Sequence, residues 1–96
     1  MSMKAYTIDV DGRVESVSPD NGTDFSLEEL QGFVGGYIEI QPLRHMTGKV
    51  MVLNEEGKLI GLPGNETASM IYNAQFGRSV DHVCGRVLLC DSDMIR

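Results

Sequence analysis

Polar and apolar side chains alternate over short stretches of this chain, and turn residues cut each stretch before it grows long. From Lys4 to Val10 the apolar Tyr6, Ile8 and Val10 fall on opposite parity to Thr7 and Asp9. Period-two alternation of this kind belongs to a strand with one buried face. Asp11-Gly12 interrupts it, and Arg13 to Val17 resumes the extended pattern. An Asp-Gly pair between two such runs predicts a hairpin closed by a type I′ turn, because Gly accepts the positive φ. The chain is thereby restricted to short hairpins and to whatever helices fit between them.

Two helices fit. Ser18 to Asp24 is a loop by composition, and Ser26-Leu27-Glu28-Glu29 then forms a capping box. There the Ser26 hydroxyl accepts from the Glu29 amide while the Glu29 side chain reaches back. Phe25 and Leu30 flank the cap at the spacing of a hydrophobic staple. The helix is expected to run through Val34 and stop at Gly35-Gly36. Tyr37 to Gln41 alternates again and ends at Pro42; Leu43 to Gly48 is a connection. Lys49 to Leu53 reads as a mostly buried strand, Asn54 to Gly57 as a turn, and Lys58-Leu59-Ile60 as a return strand. After Leu62-Pro63-Gly64, Asn65 is placed to cap a helix from Glu66 to about Ala74, with Ala68, Ile71 and Tyr72 facing inward. Val83 to Cys90 is a last apolar strand, bulged at Gly85. The expected class is α+β, a single domain over residues 1–96 made of antiparallel hairpins and two short helices in the order β-β-α-β-β-β-α-β.

Composition narrows function more than it specifies it. The net charge is −6, and residues 1–31 carry seven acids against two bases, leaving the remainder almost balanced. Phosphate binding rests on clustered Lys and Arg, so direct nucleic-acid binding is disfavoured. The acidic third suits a basic partner or simply a solvated face. No apolar run approaches the ~18 residues of a membrane helix, and the first residues lack the pattern of a signal peptide, so a cytosolic location is expected. Cys84 and Cys90 then read as buried free thiols.

Candidate chemistry is sparse. His45, His82, Cys84 and Cys90 have no metal-ligand spacing, so no metal is expected. No nucleophile elbow or phosphate loop occurs. Glu55-Glu56 sits at an expected hairpin tip, where water keeps both carboxylates ionised. The reading is a non-enzymatic protein without a cofactor. If a ligand pocket exists, it is expected around the Asn54–Lys58 turn and the start of the second helix. Asn65 would present unpaired amides to an anion, Lys58 and Arg44 would add charge-assisted bonds, and Tyr72 or Tyr37 would offer a stacking face for a base, with Asn54 and Pro63 completing the expected set. The plain alternative makes Asn65 a cap and nothing more. Self-association, most simply as a homodimer, is expected because the apolar run from Val83 to Cys90 has few charges to guard an open sheet edge.

Three segments carry a resemblance: Leu30 to Ile40 with its Val-Gly-Gly-Tyr-Ile-Glu step, Val52 to Asn65 with Asn-Glu-Glu-Gly-Lys and Leu-Pro-Gly-Asn, and Gly85 to Cys90. Over roughly residues 25–91 the chain resembles a family of small domains of unknown function found in bacteriophages, prophages and bacterial mobile elements. The resemblance implies a phage accessory protein and supplies no catalytic residues. In that setting the expected role is antagonism of host antiviral defence by sequestering a nucleotide immune signal. The alternative is an acidic protein-interaction module that occludes a host defence protein or nuclease.

Overall fold

The computed structural model, in which residues 5–96 are described, builds both hairpins from the alternating runs. Strands β1 (Ala5–Ile8) and β2 (Val14–Val17) form the first, and β3 (Ile38–Pro42) and β4 (Lys49–Asn54) the second. Lys4, expected to begin β1, lies outside the described residues. Helix α1 (Leu27–Val34) joins the hairpins, and α2 (Glu66–Ala74) leads from the second to β5 (Val87–Asp91). The sheet order is β2-β1-β5-β4-β3, every neighbouring pair antiparallel. The last strand thus closes the gap between the hairpins, setting Leu89 opposite Tyr6 on one side and Met51 on the other.

Alternation sorts the core onto two faces. Ala5, Val50, Val52, Leu88 and Cys90 pack with Phe25, Leu30 and Val34 from the α1 region, and with Met94. The opposite parity, Ile8, Met51 and Val87, packs with Ala68 of α2, Leu43 and Val83, with Ile71 and Tyr72 half-buried against them. One helix therefore covers each face of an antiparallel sheet, and the fold is α+β. Fully burying a side chain of this size contributes about 1.5–3 kcal/mol, so both faces stabilise the sheet.

The helix ends follow local chemistry. Ser26 Oγ accepts from the Glu29 amide at 3.2 Å and Glu29 Oε1 from the Ser26 amide at 2.8 Å, completing the capping box. Gly35 stops α1 in the left-handed region, at φ 80°. The Phe25 N–H donates to Met94 C=O at 2.7 Å, and Arg96 pairs with Asp24, so the C-terminal residues fasten the start of α1. No helix among the described residues is long and apolar enough to cross a membrane.

Three expectations are corrected. The first hairpin closes through three residues, Val10-Asp11-Gly12, bounded by the Asp9 N–H to Arg13 C=O bond at 2.8 Å. Only Gly12 has positive φ, whereas a type I′ turn needs two such residues. Lys58-Leu59-Ile60 is no strand, and the order is β-β-α-β-β-α-β. Both sides of β4 are already taken by β3 and β5, so the segment instead coils through bonds from Ile60 N–H to Glu56 C=O and Leu62 N–H to Gly57 C=O. Finally, the Val83–Cys90 run divides at Gly85, where φ is 87° and the N–H donates to Pro63 C=O. Its strand portion occupies the centre of the sheet, not an edge. The open edges are β2 and β3, so the Val83–Cys90 run is not the edge through which self-association was expected.

Candidate functional site

A cleft of about 290 Å³ opens on the α2 face, beside the outermost strand β3. Its floor is Leu53 of β4, and Glu39 and Gln41 bring the cleft-facing parity of β3 to one wall. Tyr72 of α2 and the segment Asp81–Cys84 form the opposite wall, and the coil after β4 contributes Glu55, Lys58 and Leu59.

Two close approaches fix that coil. A Cβ on Gly57 would stand 2.9 Å from the Cys84 carbonyl oxygen, so only glycine lets the two backbones meet. Asn54, buried, donates from Nδ2 to Val34 C=O at 3.2 Å and accepts the Glu56 amide at 2.8 Å. The Asn54–Gly57 turn is therefore tied to the end of α1 on one side and to the Cys84 backbone on the other. Leu59, 86% exposed, and Ile60, 58% exposed, project to solvent from this anchored coil.

Charge in the cleft is unbalanced. Among the described residues, Glu39, Glu55 and Asp81 face one cation, Lys58, which is ion-paired with Asp81. The Asp81 carboxylate holds the Lys58 ammonium above its ordinary value. Lys58, with the His82 backbone N–H, holds Asp81 below the usual carboxylate range. Gln41 donates to Glu39 and steadies that carboxylate at the wall. The result is an acidic cleft with an apolar floor.

Of the expected site residues, the cleft gathers Asn54, Lys58 and Tyr72. Asn54 acts from within, as a buried brace. Lys58 is not a free cation, because Asp81 already holds it. Arg44 stands elsewhere, its guanidinium carbon 5.9 Å from the Phe76 ring centre and its N–H donating to Gln75 Oε1. Pro63 contributes its carbonyl to Gly85, outside the cleft. Asn65 is buried and committed: Nδ2 donates to Ile8 C=O and Gly85 C=O, both at 2.9 Å, and Oδ1 accepts the Ala68 amide at 3.0 Å. It caps α2 and ties the helix to the sheet, leaving no side-chain group for an anion.

Glu39, Gln41 and Asp81 were not singled out in the sequence as site residues, and His82 was weighed only as a metal ligand. The alternation of β3 does place Glu39 and Gln41 on one face. Asp81 reaches the cleft only through tertiary packing and had no local signal. Both thiols are buried, and burial pushes Cys90 up to about 11. Among the described residues no three His, Cys, Asp or Glu side chains converge as a metal site.

Comparison with known proteins matches no curated protein and no solved structure. One family matches from residue 3 to residue 94, extending the resemblance through the first hairpin and past β5. The chain therefore belongs to the family described as a domain of unknown function, DUF3846.

Proposed function

We propose that this chain is a non-enzymatic binding domain whose acidic cleft takes a basic segment of a partner protein. The observation that carries this reading is the excess of carboxylates, Glu39, Glu55 and Asp81, around an apolar floor of Leu53 and a wall that includes Tyr72. A lysine or arginine side chain lays its methylene stem on apolar surface and its charged head among acids. A phosphate-bearing ligand would meet repulsion instead, since Lys58, the one cation lining the cleft among the described residues, is neutralised by Asp81. Of the two roles foreseen, the protein-interaction module is the better supported, and capture of a nucleotide signal the less. In the cytosolic, phage-accessory setting that the resemblance implies, occupation of a basic site on a host defence protein or nuclease is the role such a module would serve.

Thermal-shift measurements separate the two roles. A lysine-rich peptide should raise the melting temperature, approaching ~2.7 kcal/mol of stabilisation at 100 times its dissociation constant. Glu39→Gln with Glu55→Gln should remove the shift, and cyclic or ADP-ribose-type nucleotides should give none. A shift with a nucleotide and none with the peptide would reverse the assignment.

A further inference from the structure

The hydrogen bonds of the second hairpin say which groups of β3 are unused. Glu55 N–H donates to Tyr37 C=O at 2.9 Å, and Leu43 N–H to Lys49 C=O at 3.0 Å. Both pairs share the register that sets Ile38 opposite Asn54 and Ile40 opposite Val52. Bonded and unbonded pairs alternate along an antiparallel ladder. Glu39 and Gln41 therefore bond inward to β4, while Ile38 and Ile40 aim their N–H and C=O groups at the open side. β3 is the end of the sheet on that side. Pro42 closes the exposed row, offering a carbonyl but no donor.

Side-chain parity makes this edge asymmetric. Glu39 and Gln41 point to the acidic cleft. Ile38 and Ile40 point to the α1 face, where Ile40 remains 40% exposed with no strand of the described residues beyond it. A strand added alongside would continue both faces, because residues directly opposite share a face.

We infer that the partner segment binds as a sixth strand against β3, paired through the backbone of Ile38 and Ile40. Its basic side chains alternate with aliphatic ones: the basic set faces Glu39 and the cleft, and the aliphatic set covers Ile40. This rests on the reading of the cleft as a site for a basic segment and adds its conformation and its pattern. Backbone pairing supplies affinity in such complexes, and alternate side chains supply specificity. It also gives the open edge of β3 an occupant, where native sheets otherwise cover or blunt an edge.

The test uses a capped Lys-Val-Lys-Val-Lys peptide and its isomer Lys-Lys-Val-Val-Lys, titrated calorimetrically into the whole protein. The alternating peptide should bind about tenfold more tightly, because the isomer turns one lysine onto the Ile40 face and one valine onto the Glu39 face. Two further versions carry N-methyl groups on alternate backbone nitrogens, in the two complementary sets. One set should lose about tenfold or more, because its N–H groups face β3, and the other should bind as the parent does. Ile40→Pro removes an outward donor without touching the β4 ladder and should weaken binding with the melting temperature little changed. If that variant fails to fold, the methylated peptides alone decide. Equal binding by both methylated sets overturns strand addition. If Glu39→Gln still weakens the peptide in that case, the cleft reading survives; if no peptide binds at all, both fall.

Discussion

Asn65 shows how a residue with a legible local signal acquires a larger structural part. Its position before α2 marks it as a cap, and it is one, but the same side chain bonds the carbonyls of Ile8 and Gly85, 57 and 20 residues away in sequence. Sequence spacing reveals the cap because its partner is three residues away; the other partners are brought near only by folding. The two roles are separable by mutation. Losing the cap costs about 0.5–2 kcal/mol, and stranding two buried carbonyls adds about 1–3 kcal/mol. Asn65→Ala should therefore lower unfolding free energy by more than a cap alone explains. Asn65→Asp preserves capping but aims a carboxylate at two carbonyl oxygens, so it should be no better tolerated than Asn65→Ala. Denaturant melts of the two variants check this; an Asp variant as stable as the parent would leave Asn65 a simple cap.

Strands and helices with strong periodicity were legible, and segments whose form depends on a neighbour were not. The capping box and Gly35 define α1 within the ten residues from Ser26 to Gly35, so its bounds follow from local bonds alone. Lys58-Leu59-Ile60 looked extended because it is apolar beside a turn, yet the sheet has no free side of β4 to receive it. What shapes that coil instead is contact between Gly57 and Cys84, distant in sequence. The glycines record the difference. Gly57→Ala would drive a Cβ to 2.9 Å from the Cys84 backbone oxygen and should cost about 1–3 kcal/mol, as overpacking does. Gly32 lies inside α1 with nothing within 4 Å of an added Cβ, so Gly32→Ala should stabilise by about 0.5–1 kcal/mol through helix propensity. Thermal melts of both variants should move in opposite directions. A neutral Gly57→Ala would mean that the coil, and with it the cleft wall, is not held by that contact.

At the level of the assembled domain, the topology creates the candidate site. Because β5 fills the middle of the sheet, the two hairpins are pushed outward and β3 becomes an edge, with α2 and the Asp81–Cys84 segment roofing only part of its inner face. The cleft is the gap that remains. Acidity concentrated in the first third of the sequence marks a different surface, for the carboxylates that line the cleft, Glu39, Glu55 and Asp81, come from three separated segments. No local pattern reports such convergence; only the fold does. Amide chemical-shift mapping by NMR, with the alternating lysine–valine peptide titrated into labelled protein, tests the central claim most directly. The account predicts that the largest shifts fall on Ile38 to Gln41, Leu53, Tyr72 and Asp81-His82, with the start of α2 near Asn65 unmoved. Shifts confined to the acidic loop from Asp20 to Asp24, or to the first turn of α2, would contradict it.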